Sequence, residues 1–250
     1  MTSSYAKTEC ISGFMIGIAA IFACLITGLE IYAPLPAFAI VLLVWLCRSP
    51  NRLPPTVKHQ IVSPADGRVR SVDVIDYFEP FDGPATRIQI YTSFLDVHVT
   101  RSPCHGRVSY VEAMPGRHVL PLSRRAAEVN CAVLTVLNHI ARDVPIAAIK
   151  QIAGGYWFGL TCDAHEGESL QRGQKCGMIK MASITELYVP RPDQTTLRIV
   201  AGDRVTAGVT VVGVMPPIAD KATSVSITPD TIKTTPIQSR DTRNPRLVTA

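Results

Sequence analysis

Two uncharged apolar runs stand near the start of this 250-residue chain, and any fold it adopts must find them a non-aqueous home. The first covers 11–28 (ISGFMIGIAAIFACLITG), and the second, 34–47 (PLPAFAIVLLVWLC), follows Glu30 and begins among prolines. Crossing a bilayer core takes ~20 apolar residues, with a lower limit near 17. The first run reaches that limit, and residues 31–33 lengthen the shorter second one. These runs predict a membrane hairpin over 11–47, behind a short N-terminal segment (1–10); a re-entrant or interfacial anchor is the alternative. A cleavable signal peptide fits poorly, because no clear cleavage site precedes a secreted domain and a second apolar run follows. Lys7 lies before the hairpin and Arg48, Arg52 and Lys58 after it. The positive-inside bias then puts both flanks in the cytoplasm and Glu30 in the external turn. The expected location is the cell membrane, with the folded domain on the cytoplasmic side.

Pro50, Pro54 and Pro55 stiffen a connector over 48–60, since proline fixes φ and blocks helix continuation. From 61 to 217 the pattern is mainly β. Alternating segments at 61–63, 68–75, 87–93, 107–113, 145–153, 186–189 and 196–200 are punctuated by Gly, Pro and Asp. One helix is predicted over 123–140, with Ser123 as its cap. Residues 218–250, rich in Thr, Ser and Pro without apolar periodicity, are expected to be disordered. The fold class is therefore α+β: an apolar hairpin, then a β-rich domain with few helices.

A net charge of +5 without interleaved basic and aromatic residues argues against nucleic-acid binding. It leaves room for a modest attraction to anionic lipid. The seven cysteines (10, 24, 47, 104, 131, 162 and 176) are scattered, with no CxxC pair. Zinc and redox motifs thus lack their usual spacing, and a reduced setting is the simplest reading. Cys24 and Cys47, inside the apolar runs, read as small hydrophobes. Asp163-Ala164-His165-Glu166 reads as a turn rather than a metal site, and no metal is expected.

Three segments carry chemistry: Ser63-Pro64-Ala65-Asp66-Gly67, Asp96-Val97-His98-Val99-Thr100-Arg101-Ser102-Pro103, and Met181-Ala182-Ser183. They supply an acid, a base and a hydroxyl, a set able to activate a serine against its own backbone. Added to them are Arg48-Ser49-Pro50-Asn51-Arg52, Gln151-Ile152-Ala153-Gly154, Gly173-Gln174-Lys175-Cys176-Gly177-Met178-Ile179 and Tyr188-Val189-Pro190. In this order, from about 34 to 215, the chain resembles the short prokaryotic phosphatidylserine decarboxylase proenzymes.

The resemblance implies autocatalytic serinolysis between Ala182 and Ser183. It would give a larger chain, 1–182, and a smaller one, 183–250, that stay together as a heterodimer. Ser183 would become a covalent pyruvoyl group, the cofactor that takes the substrate amine as a Schiff base. His98 is implied as the base, and as proton donor to the former α-carbon, with Asp66 its orienting carboxylate. The substrate would be the membrane phospholipid phosphatidylserine and the product phosphatidylethanolamine.

The chain departs from the family at three places. Ala182 stands where the family has Gly, and the Asn-Glu-Arg after the acidic stretch is reduced to Asn130-Cys131. Gly155-Tyr156-Trp157-Phe158-Gly159 replaces a paired arginine that would suit phosphate or carboxylate. Lys150, Lys180 and Arg172 are candidate substitutes for that contact. These departures motivate a second reading, a catalytically degenerate membrane-anchored homologue that binds lipid or a partner without processing. A third reading, a biotinyl or lipoyl carrier, rests on Lys180 in Ile179-Lys180-Met181-Ala182 and on the glycines Gly202 and Gly208.

Overall fold

The computed structural model describes residues 7–57, 59–119, 125–154, 159–180 and 183–217. Residues 1–6, Lys58, Ser123, the 155–158 stretch, Ala182 and the 218–250 tail, about which the sequence raises expectations, lie outside the described residues. The apolar runs form helices α1 (Lys7–Ile26) and α2 (Pro34–Leu46), joined through a 3-10 turn at Glu30–Tyr32. Gly13 and Gly17 let them pack closely: a Cβ at either would lie 2.5 Å from the Leu43 or Ile40 side chain. Outside that seam the helices expose large apolar side chains, including Ile16, Phe22, Leu35, Phe38 and Val41. Among the described residues no helix is long and apolar enough to cross a membrane. Cys10 and Cys47 are bonded to each other across the two helices, so Cys47 is more than a small hydrophobe in its run.

The rest is β. An eight-stranded antiparallel sheet runs in the order β13 (Arg204–Val205), β2 (Gly67–Phe78), β3 (Gly83–Thr92), β11 (Ser183–Pro190), β7 (Pro145–Ile152), β6 (Ala132–Asn138), β5 (Gly106–Met114) and β9 (Ser169–Leu170). Two three-stranded sheets accompany it. One joins β1 (Gln60–Val62), β14 (Val211–Val214) and β12 (Thr196–Leu197); the other joins β4 (Val99–Arg101), β10 (Lys175–Ile179) and β8 (Leu160–Cys162).

Every residue of β11 is buried, as a central strand covered on both faces requires. Burying side chains such as Ile184 and Leu187 contributes about 1.5–3 kcal/mol each. One face of β11 carries Ser183, Thr185 and Leu187. Gln151 of β7 is the rung partner of Thr185 and donates to the Thr100 hydroxyl of β4 at 2.9 Å, which places the β4 sheet across that face. On the other face Ile184 packs with Ala126, Ala127, Ala132 and Ile152.

The helix expected over 123–140 is corrected. Among the described residues of that stretch only Ala126–Val129 (α3) is helical, and Ala132–Asn138 is strand β6 between β5 and β7. The run Ala-Val-Leu-Thr-Val-Leu-Asn alternates: Leu134 and Val136 meet Ala148 and Tyr188, while Thr135 and Leu137 turn the other way. Packing on a pleated surface overrides the helical preference of Ala and Leu.

Candidate active site

Asp66 lies in the turn between β1 and β2, where the Ser63 hydroxyl donates to the Ala65 carbonyl at 2.7 Å. Gly67 follows at φ +147°, and a Cβ there would fall 2.0 Å from the Tyr91 carbonyl oxygen. Only glycine allows the turn to lie this close to the end of β3. Thr92, the last residue of β3, donates its hydroxyl to the Asp66 carbonyl at 2.7 Å and is the rung partner of Ser183. Asp66 and the first residue of β11 are thereby joined through one residue. Ser183 is buried.

His98 precedes β4, and its carbonyl accepts from the Ile179 N–H at 3.1 Å, at the end of β10 and four residues before Ser183. The loop before it is held by Asp96, which accepts from the Ser93 N–H (2.9 Å), the Ser93 hydroxyl (2.7 Å) and Arg204 (2.8 Å). Burial pushes the His98 imidazole below the usual histidine pKa, and the Arg48 cation acts in the same direction. The charges of Asp96 and Asp66 and a hydrogen bond to the Asp96 backbone oppose the shift. His98 Nε2 is buried with no hydrogen-bond partner among the described residues. A neutral imidazole with an unspent ring nitrogen is equipped to take a proton.

The Asp66 carboxylate is engaged elsewhere. Arg52 donates to both of its oxygens, Nη2 to Oδ2 at 2.7 Å, and the Ala207 N–H donates to Oδ1 at 2.7 Å. Asp66 therefore acts on His98 through space, and the backbone of Asp96 holds the ring. So the Asp66 turn is tied to the start of β11 through Thr92, and the His98 segment to the end of β10, while the direct Asp66–His98 bond expected of an orienting carboxylate is not among the hydrogen bonds of the described residues.

Thr92, Asp96, Arg52 and Ala207 escaped the sequence reading. Asp96 carried a visible signal two residues before His98, and Arg52 entered only as a cationic flank of the hairpin and as part of a family motif. Arg172 donates to the carbonyls of Val57 (2.7 Å) and Gln60 (3.0 Å), so it serves the connector rather than a ligand. Asp163–Glu166 leads into a turn, where the Glu168 N–H donates to the His165 carbonyl at 3.0 Å. Lys180 follows β10, which pairs with β4 and β8, whereas β11 pairs with β3 and β7. It is not at the tip of a hairpin, as a carrier lysine must be.

Two cavities flank this region. An apolar one of about 400 Å³ is lined by Met114, Pro115, Cys131, Ala153 and Leu160. Ala153 follows Ile152, the rung partner of Ile184. A charged one of about 480 Å³ is lined by Arg70, Arg87, Lys150 and Glu186. Glu186 points from β11 to the face opposite Ser183, so this second cavity is separate from the site.

The sequence profile described as phosphatidylserine decarboxylase matches residues 41–213. The chain is 35% identical over 170 residues to the phosphatidylserine decarboxylase proenzyme of Rhodopirellula baltica, covering 68% of this chain and 70% of that one. It is 35% identical over 172 residues to that of Carboxydothermus hydrogenoformans (68% and 78%). With the proenzyme of Salinibacter ruber it shares 34% over 190 residues (74% and 81%). With a match that spans both the connector and the Asp66, His98 and Ser183 segments, the chain belongs to the phosphatidylserine decarboxylase family and is an enzyme of that family.

Proposed function

We propose that this chain is a self-processing, membrane-associated enzyme that decarboxylates phosphatidylserine to phosphatidylethanolamine. The observation that carries the reading is the buried Nε2 of His98, without a hydrogen-bond partner among the described residues, in a residue whose carbonyl accepts from Ile179 four positions before Ser183. His98 takes the Ser183 hydroxyl proton, and Oγ attacks the Ala182 carbonyl carbon. The bond from that carbon to the Ser183 nitrogen breaks, the nitrogen regains a proton, and the chain is joined by an ester. Loss of the Ser183 α-proton then expels the Ala182 carboxylate from Cβ. Hydrolysis of the resulting dehydroalanine releases ammonia and leaves a pyruvoyl group at the head of the 183–250 chain.

The residues present fit that group, because position 183 is buried and the buried Nε2 of His98 has no hydrogen-bond partner among the described residues. Its ketone supplies the electron sink for the bonding pair freed when carbon dioxide departs. His98 returns a proton to the former α-carbon. The enclosed position of residue 183 keeps bulk water from competing. The exposed apolar faces of α1 and α2 support a membrane location, where a diacyl substrate is concentrated.

Intact mass spectrometry of the purified chain and of Ser183→Ala, followed by a decarboxylation assay on phosphatidylserine vesicles, tests the reading. Two wild-type fragments meeting at 182/183, the smaller pyruvoyl-blocked and neither present in the variant, are expected, together with release of carbon dioxide. A single uncut mass in both would instead support the degenerate, lipid-binding homologue, the reading that Ala182 and the missing arginine pair favour.

A further inference from the structure

The geometry points to Arg52 as the residue that positions the Asp66 carboxylate for the self-cleavage step, tying the connector below the helices to the site; this rests on the self-processing reading above. Arg52 lies in the 48–60 connector, and its guanidinium sends one N–H to each Asp66 oxygen. The paired side chains are only 11% and 13% exposed, which separates them from ordinary surface ion pairs. Nη1 also donates to the Ala207 carbonyl at 2.9 Å, while the Ala207 N–H returns a bond to Asp66. Three segments distant in sequence thus close around one carboxylate.

A planar fork fixes both oxygens at once, and no lysine can reproduce that. With its oxygens held this way, the carboxylate cannot swing onto the imidazole. It acts on His98 by charge alone, while the ring keeps its bond to the Asp96 backbone and leaves Nε2 unspent. Arg52 therefore acts through Asp66 and is a positioning residue, not a catalytic one. The neighbouring connector contacts are of another kind. Arg48 donates to the Leu95 carbonyl (2.8 Å) and Arg101 to the Pro50 carbonyl (2.8 Å), and neither bond ends on Asp66. Arg172, on Val57 and Gln60, supplies a clamp of the same connector away from the site.

The test follows the appearance of the 183–250 fragment against pH in full-length wild type, Arg52→Ala, Arg52→Lys and Arg172→Ala, with thermal unfolding of each. Arg52→Ala is expected to slow cleavage by at least about tenfold, with partial recovery in added guanidinium ion. Its acid limb is expected to move to higher pH, because a released carboxylate that reaches the imidazole favours the imidazolium. Arg52→Lys is expected to be slow as well, and Arg172→Ala to cleave at close to the wild-type rate with an unmoved limb. Wild-type cleavage by Arg52→Lys overturns the proposal even if Arg52→Ala fails to fold. So does slowing shared equally with Arg172→Ala, with neither rescue nor a moved limb. Should the wild-type chain stay uncut, the self-processing reading falls separately. The Arg52–Asp66 link is then read in Ser183→Ala from the ¹³C carboxyl shift of Asp66. A shift moved by Arg52→Lys and not by Arg172→Ala upholds the positioning role, and an unmoved one ends it.

Discussion

The hydroxyl of Thr92 bonds the backbone carbonyl of Asp66 at 2.7 Å, while the Thr92 backbone pairs with Ser183 across β3 and β11. Thr92→Val keeps the shape and removes the hydroxyl, so the strand pairing survives and the tie to the Asp66 turn is lost. The expected loss of stability is about 0.5–1.5 kcal/mol, accompanied by slower cleavage at 182/183. Calorimetry and fragment appearance measured together check this; cleavage at the wild-type rate would show that the tie is not needed.

The depressed pKa of His98 sets a pH dependence. Burial keeps the imidazole neutral to lower pH than in a free histidine, so cleavage is expected to persist below the ordinary histidine value and fail only in more acid solution. The linked stability has the same sign: it is fully present above the unfolded-state pKa and is lost as pH falls through the lower folded-state value. Arg48 adds to the depression, so Arg48→Gln is expected to shift the acid limb upward. A pH series of cleavage rates on both chains reads the two effects.

Gly67→Ala is expected to be severe. The residue sits at φ +147° and a Cβ would overlap the Tyr91 carbonyl, so the turn carrying Asp66 must shift. Strain alone costs roughly 1–3 kcal/mol. A lowered melting temperature with cleavage abolished is the expected pair of results.

Tyr188→Phe probes the opposite face of the same strand. The Tyr188 hydroxyl donates to buried Glu186 at 2.7 Å, and the ring stacks on Phe78. Burial, and then the Glu186 charge, raise the phenol pKa well above its usual range. Losing a hydrogen bond to a charged acceptor costs about 1.5–3 kcal/mol. Stability should fall while the cleavage rate stays within about twofold, as expected for a change away from the reacting groups.

Ala182→Gly restores the small residue usual in the family. A glycine there reaches backbone geometries closed to alanine. A several-fold faster appearance of the two fragments is expected in a time course from freshly made chain.

Strands were legible where polar and apolar residues alternate between glycines and prolines, as in β2, β3 and β5. Strand β6 was not, because a run of Ala, Val and Leu buried in mid-sheet has no polar face to reveal its period. The same blindness cut β11 short, since Ser183, Ile184 and Thr185 are all buried. At the site, Asp66, His98 and Ser183 stand out through the short motifs around them. Arg52 and Ala207 do not, because their partner lies 14 residues away in one case and 141 in the other. Only the folded chain brings those segments together.

Strand β11 has a further consequence for the order of events in the life of the molecule. Beginning at Ser183, it is laced to β3 by eight residue pairs and to β7 by five. A break before its first residue would sever the thread without loosening the weave. The short piece would leave only if the middle of the large sheet were unpicked. The two partners of β11 both come from the long piece, so their pairing would have to precede the cut. The newborn end would then inherit a finished scaffold that two separately made fragments would have to find by collision.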